Sequence, residues 1–275
     1  MRAPRRTRLI GAAALILAAI TAAFVSVAIG GDDDDDPPAS EADAASAAAP
    51  ALAEPPDPAF EIPPPVELGG STHESTWAPV KRAATARSAP RLRSGAVGRL
   101  APRTPEGTTN IVLVLDRAKD ADGSLWLRVR LPVLPNNTTG WVPRSALGGY
   151  GIVRTQLVVD LGDRRATLFR NGKVVFQAVA GVGTARFPTP RGRFYVRNKL
   201  TRYRDPFYGP VAFGTSARSA TLTDWPAGGF VGIHGTNRPD LLPGAVSHGC
   251  IRLPNEAIVR LARLLPIGTP LTIKA

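Results

Sequence analysis

The sequence predicts a mainly β protein with one helix, built as two β modules behind a non-globular leading segment. Three observations carry that reading. From Trp77 onward, short runs rich in β-branched and apolar residues are separated by turn sequences. One Asn-Gly pair, Asn171-Gly172, falls between two such runs, and Asn-Gly supplies the positive φ that a tight hairpin turn needs. Only "EAIVRLARLL", from Glu256 to Leu265, has a helical pattern with start and stop signals around it.

The leading segment divides in two. Residues 1–30 contain "LIGAAALILAAITAAFVSVAI", Leu9 to Ile29, 21 residues without a charge, preceded by Arg2, Arg5, Arg6 and Arg8. About 20 apolar residues span a bilayer, and the arginines favour a cytoplasmic N-terminus. The length points to an uncleaved membrane anchor. A cleaved signal peptide is the rival, with a shorter apolar core and a small-residue cleavage site. Either reading exports the rest of the chain. Residues 31–75 are rich in Ala, Pro and acid, with five consecutive aspartates at 32–36. Too few large apolar side chains are present to offset the entropy of ordering, so the segment reads as a disordered tether.

Charge is unevenly divided. Residues 1–75 carry 4 Lys/Arg against 12 Asp/Glu, whereas residues 76–275 carry 30 against 10, a net of +20 within a chain total of +12. A charge of that size speaks about partners rather than fold. An exported basic domain meets anionic wall polymers and lipid head groups. Nucleic acid is set aside, because the chain leads with an export segment and has no recognisable binding motif.

Residues 76–149 read as a small barrel or sandwich. "NIVLVLDRA", "SLWLRVRLPV" and "GWVPRSAL" are its strands, and "KDADG" and "PNNTTG" its turns. The pattern from "WAPVKRAATARSAP" to the Gly-Trp-Val of "GWVPRSAL" resembles bacterial Src-homology-3-like domains, which implies a wall-binding or spacer module. Trp126 and Trp141 are expected in its core or rim. Residues 150–275 form the second module. "TQLVVDLGDRRATLF", "KVVFQAVA", "GRFYVRNKL", "GPVAFGT", "FVGIHGT" and "PLTIKA" supply strands. Asn255 is the expected N-cap of the helix, with Pro266 and Gly268 ending it.

The chemistry concentrates in "GIHGTNRPDLLPGAVSHGCIRL", Gly232 to Leu253, which holds two of the three histidines and the only cysteine. One cysteine excludes an intramolecular disulfide. A thiol attacks acyl carbonyls well only as thiolate, so Cys250 as nucleophile wants a nearby base or a positive field. His234 can provide the base if the Pro/Gly-rich "NRPDLLPGAV" doubles the chain back. Gly249 permits a tight turn and close approach of amides to an oxyanion. The helix that follows is expected to lower the thiol pKa through its N-terminus. Two alternatives stay open: an inert buried thiol, and zinc held by His234, His248 and Cys250. The spacing of His248 and Cys250 is unusual for zinc, and the fourth candidate, His73, lies in the tether.

"HGT" at 234–236, a loop of ten residues, then "SHGCIRL" at 247–253 resembles the signature of L,D-transpeptidase catalytic domains. "FPTPRGRFYV" at 187–196 is similar to the family's Thr-Pro-x-Gly-x-Phe segment. The resemblance runs from about Arg154 to the C-terminus and implies a β-sandwich or barrel-like enzyme acting on peptidoglycan stem peptides outside the cytoplasm. It implies Cys250 as the nucleophile of a thioester acyl-enzyme and His234 as its proton acceptor. The Gly235 carbonyl would fix the imidazole tautomer, and amides near Gly249 and Cys250 would form the oxyanion hole. Ser247, His248, Thr236 and Arg252 are expected to shape the substrate site. Arg252 stands where many relatives carry asparagine, as a carboxylate anchor or a structural ion pair. No metal or organic cofactor is implied, and sensitivity to carbapenems is. A wall peptidase with a Cys/His site is the enzymatic rival, but in that class the cysteine precedes the histidine. An L,D-carboxypeptidase, with water as acceptor, and a non-catalytic wall-binding protein also stay open.

Overall fold

The computed structural model describes residues 73–201, 205–222 and 229–275. The expected anchor at Leu9 to Ile29 and most of the tether lie outside the described residues. Among the described residues no helix is long and apolar enough to cross a membrane.

Seven strands make the first sheet: β1 (Ser75–Pro79), β2 (Ala84–Arg87), β3 (Ala96–Leu100), β4 (Ile111–Lys119), β5 (Leu125–Arg130), β6 (Thr139–Pro143) and β7 (Gly151–Val153). They hydrogen-bond in the order β3-β2-β6-β5-β4-β1-β7, with every pair antiparallel. Side chains alternate between the two faces of a strand, so Leu127 and Val129 of β5, Val142 of β6 and Val112 and Val114 of β4 meet in one core. The turn between β4 and β5 is held from within. Asp120 Oδ1 accepts the N–H groups of Asp122 and Ser124, and the buried Trp126 donates its indole N–H to Asp120 Oδ2. The strands expected around "NIVLVLDRA", "SLWLRVRLPV" and "GWVPRSAL" are β4 to β6. β1, β2 and β3 were not separable in the sequence, because their residues lack a strong apolar alternation.

The second sheet has ten strands: β8 (Thr155–Asp160), β9 (Arg165–Arg170), β10 (Lys173–Val179), β11 (Gly181–Gly183), β12 (Gly192–Leu200), β13 (Ala212–Arg218), β14 (Phe230–His234), β15 (Gly244–Ser247), β16 (Ile251–Arg252) and β17 (Pro270–Lys274). Their order is β10-β9-β8-β17-β12-β13-β14-β16-β11-β15. The β9–β10 hairpin turns at Asn171 and Gly172, with φ of 49° and 74°, as the Asn-Gly pair requires. Parallel pairing joins β17 with β8, β14 with β16, and β11 with β15. Among the described residues the one α-helix, α1 (Asn255–Leu264), lays Ile258 and Leu261 into the core with Leu253, Ile251 and Phe213.

The expected cap is corrected. Pro254 occupies the N-cap position and Asn255 is the first helical residue, with no side-chain cap bond. The proline ring already sets the extended backbone before the helix. The Asn255 amide bonds elsewhere, its Oδ1 accepting the N–H of Thr236.

The two sheets share a packed boundary. Tyr195 of β12 is fully buried among Ile111, Leu113 and Trp77, and its hydroxyl donates to the Ile111 carbonyl at 3.0 Å. Gly268 is required there, since a Cβ would lie 2.2 Å from the Trp77 ring. Beside it, Arg197 of β12 is only 2% exposed and pairs with Glu106 of the first sheet's β3–β4 connection, Nη2 lying 2.9 and 3.1 Å from the two carboxylate oxygens. Asn198 Nδ2 donates to the same carboxylate at 3.1 Å. Burial alone would press the Arg197 pKa down, and Glu106 opposes that.

Removing one partner of such a pair strands a buried charge. Glu106→Ala is expected to destabilise the fold by about 3–5 kcal/mol, read by differential scanning calorimetry. Glu74→Ala, which breaks the exposed pair of Glu74 with Arg154, should cost less than about 1 kcal/mol. Equal losses would mean that the sheet boundary does not depend on the buried pair.

Candidate active site

The site begins with strand register. β14 and β16 run parallel with Ile233 opposite Ile251 and His234 opposite Arg252. Because side chains alternate, Ile233 and Ile251 enter the core, while His234, Arg252 and Cys250 share the other face. Cys250 immediately precedes β16, and the N–H of Gly232 donates to its Sγ at 3.3 Å. Gly232 is the spacer between the two reactive side chains. A Cβ there would lie 3.8 Å from Cys250 Sγ and 3.9 Å from His234 Cδ2. The chain therefore does double back between the histidine and the cysteine. It does so through a 3-10 turn at Pro239–Leu241 and the strand β15, which pairs with β11, rather than as a plain loop.

His234 is 1% exposed, and its Nδ1 lies 2.6 Å from the Gly235 carbonyl. A carbonyl only accepts, so Nδ1 carries the proton and Nε2 is left as a bare lone pair. Nε2 is buried without a hydrogen-bond partner among the described residues, and the His234 ring lines a pocket with Cys250, His248, Arg252, Phe230 and Tyr208. The backbone that holds this geometry is tightly packed. A Cβ on Gly235 would fall 2.2 Å from Asn255 Oδ1, and one on Gly209, at φ 66°, would fall 2.4 Å from the same atom. The Asn255 amide is thus wedged between two glycines and grips the Thr236 N–H at 2.9 Å.

The turn before the cysteine is braced by hydroxyls. Ser247 Oγ donates to the Cys250 carbonyl at 2.6 Å and accepts the Gly249 N–H at 3.0 Å. Gly249 sits at φ +112°, a conformation natural only to glycine. Its carbonyl accepts a bond from Thr189 Oγ1 at 2.9 Å, and the same hydroxyl oxygen takes the Gly183 N–H at 2.8 Å. Thr189 is the buried threonine of "FPTPRGRFYV", and the sequence reading gave it no part. Its Thr-Pro context was the available signal.

Several expected substrate contacts occupy different positions. Ser247 and Thr236 are 1% and 2% exposed. The Ser247 hydroxyl is committed as above, and Thr236 Oγ1 accepts the N–H of Arg238. Both brace the loop instead of facing the pocket. The Gly249 amide, expected at an oxyanion, is taken by Ser247 because the turn needs that bond to close. His248 and Arg252 do line the pocket. His248 is exposed with its ring 4.8 Å from Phe187, and Arg252 stacks its guanidinium carbon 4.5 Å from the Phe207 ring centre. Arg252 has no acidic partner among the ion pairs of the described residues.

Electrostatics set the resting protonation. Burial lowers the His234 pKa to about 4, with the Arg252 charge adding to the effect and the Gly235 carbonyl opposing it. Burial pushes the Cys250 thiol up, against the pull of the Gly232 N–H and the Arg252 charge. The expected lowering by the helix N-terminus is outweighed: desolvation is the larger influence on the thiol. The resting pair is a neutral thiol beside a neutral imidazole. Among the described residues no three His, Cys, Asp or Glu side chains converge to hold a metal ion, and His73 packs against Gly172 of the β9–β10 turn.

Comparison with known proteins bears on this region. Residues 154–273 match the YkuD family model, described as the L,D-transpeptidase catalytic domain. The Bacillus subtilis protein named "Putative L,D-transpeptidase YkuD" is 38% identical over 117 residues, covering 42% of this chain and 64% of that protein. Its namesake from Bacillus licheniformis is 32% identical over 118 residues, covering 43% of this chain and 64% of that protein. The chain thus spans less than two thirds of the length of these relatives. The NMR structure of the catalytic domain from E. faecium L,D-transpeptidase is 27% identical and covers 43% of this chain and 95% of that chain, with a TM-score of 0.32. Residues 154–273 are thus similar to the L,D-transpeptidase catalytic domain that the YkuD model describes.

Proposed function

We propose that the chain is an L,D-transpeptidase that crosslinks peptidoglycan stem peptides through a thioester on Cys250. The observation that carries this is the bare, buried Nε2 of His234 beside the chain's single thiol, in a pocket whose backbone is tightly braced. Cys250 Sγ attacks the carbonyl carbon of the third stem residue as its proton passes to His234 Nε2. The C–N bond to the terminal D-alanine breaks, and the imidazolium returns the proton to the departing amine. The side-chain amine of a second stem then attacks the thioester and gives a proton to His234 Nε2; the C–S bond breaks, the new amide forms, and the imidazolium returns the proton to the Cys250 thiolate. Water in place of that amine gives carboxypeptidase activity.

The Gly235 carbonyl holds the tautomer through Nδ1–H, the part a carboxylate plays in a Ser-His-Asp triad. With the Gly249 amide committed, the Cys250 N–H is assigned to the developing oxyanion. Arg252, at the pocket wall and without an acidic partner among the described residues, is assigned to a stem-peptide carboxylate. Stem peptides and anionic wall polymers are the assigned partners, at the outer side of the cell envelope, with residues 1–30 as the export or anchoring segment and residues 31–75 as the tether. The assigned boundaries are 76–149 for the small β module and 150–275 for the catalytic one. Mass spectrometry of purified muropeptides incubated with the protein tests the assignment: dimers linked between third residues are expected, and unchanged monomers would overturn it.

Cys250→Ala should abolish both dimer formation and D-amino-acid exchange. His234→Ala should slow acylation by about 10²–10⁴-fold, the usual worth of a positioned general base. A Cys250→Ala variant with near wild-type turnover would end the thioester mechanism.

The pH profile follows from the two shifts. Because His234 is lowered to about 4, it stays a neutral base down to that region. The acid limb of kcat/KM is therefore expected near pH 4, below the ordinary histidine range around 6.5. Because the thiol is raised, covalent labelling of Cys250 should keep accelerating into alkaline solution. An acid limb centred between pH 6 and 7 would show that burial does not lower the His234 pKa.

A further inference from the structure

A second feature lies away from the Cys250 pocket and shares no lining residue with it. It is a cleft of about 930 Å³ between the two sheets. Leu113 and Arg130 line it from β4 and β5, and Gln156 and Arg193 from β8 and β12. One residue, Asn137, ties the two arginine positions together. Its carbonyl faces Arg130 Nη1 at 3.5 Å and its Oδ1 accepts the Arg193 N–H at 2.7 Å.

The charge in this cleft is uncompensated by the described residues. Arg130 is half-buried, and its Nε is shielded from solvent with no hydrogen-bond partner. Arg193 makes no ion pair among the described residues. Arg128, the next arginine on the same face of β5, has its charge met by Asp116, so that carboxylate is occupied. Among the described residues Glu74 is the one acid lining the cleft, and it is held by Arg154 at 2.6 Å. Burial and the neighbouring Arg193 both disfavour the charged form of Arg130. A guanidinium stays protonated regardless, so the fold holds two like charges together at a standing cost unless an anion joins them.

The geometry points to a binding site for phosphate groups in this cleft, with Arg130 and Arg193 as the ligands and a phosphodiester polymer as the occupant. A phosphodiester spreads its charge over two non-bridging oxygens that diverge from a tetrahedral phosphorus, so one oxygen can face each guanidinium, and successive units of a polymer can meet the two arginines in turn. The volume lies near the top of the range of about 300–1,000 Å³ for ligand pockets, which leaves room for more than one phosphate unit. The site is independent of the reaction assigned to Cys250. It would localise the chain on an anionic polymer while leaving the catalytic pocket open.

Isothermal titration calorimetry on the full chain tests it, with an oligo(glycerol phosphate), inorganic phosphate and poly-L-glutamate as probes. Saturable binding of the oligomer is expected, with weaker binding of inorganic phosphate and weaker still of poly-L-glutamate. Arg193→Gln should weaken the oligomer by about tenfold or more, as loss of one charge-assisted contact does, and Arg130→Gln with Arg193→Gln should weaken it further. Arg193 is exposed, so the single variant decides the matter if the double one fails to fold. Arg91→Gln, an exposed charge elsewhere, should change little. An equal loss in Arg91→Gln, or poly-L-glutamate binding as tightly as the phosphate oligomer, would reduce the effect to overall charge and overturn the site.

Discussion

The parallel pairing of β14 with β16 is the constraint on which the rest of the site depends. β16 is two residues long, too short to hold itself in place by ladder bonds. Its register is kept from both ends. Ile233 and Ile251 are fully buried side by side, and the Leu253 N–H reaches the His234 carbonyl at 2.9 Å. A shift of one residue would turn every side chain to the opposite face, sending Cys250 and His234 into the core and two isoleucines into the pocket. The burial of the isoleucines is thus what keeps the thiol and the imidazole together on the open side. Around that pair, the hydroxyls of Ser247 and Thr189 and the amide of Asn255 hold backbone rather than ligand.

The same burial sets the chemistry. Water removed from His234 and Cys250 disfavours ions on both, so the pair rests uncharged, and the mechanism proposed above would form an ion pair only as the proton moves. Arg252 sharpens this by opposing a second positive charge on the imidazole while favouring a negative one on sulfur. One charge therefore acts on both groups, in the same downward direction on each pKa.

The first sheet reaches the pocket through a short chain of contacts. Glu106 neutralises Arg197, whose guanidinium carbon stands 3.7 Å from the ring centre of Phe230, and Phe230 lines the pocket. Arg218 stacks on the same ring at 4.7 Å. A charge buried at the boundary between the sheets is in this way adjacent to a pocket wall, and the first sheet supports the wall of the Cys250 pocket as well as preceding it.

Much of this was legible in the sequence. The Asn171-Gly172 hairpin, the strands "GRFYVRNKL" and "FVGIHGT" and the helix after Pro254 follow from local preferences of the chain, and local preferences are what a sequence displays. So does the grouping of His234 and Cys250 as one constellation, since the residue types declare their chemistry. What only the tertiary structure decided is non-local. β11, β15 and β16 are two to four residues long and glycine-containing or near glycine, with no periodicity to announce them; they are strands because distant partners hydrogen-bond them. The direction of the thiol's pKa shift depended on desolvation by the whole fold, and the helix end near it in sequence gave the opposite sign. Asn255, Ser247 and Thr189 carry the residue types of caps, ligands and loops. Their bracing roles arose only once the fold put a free backbone N–H or carbonyl within reach of each side chain.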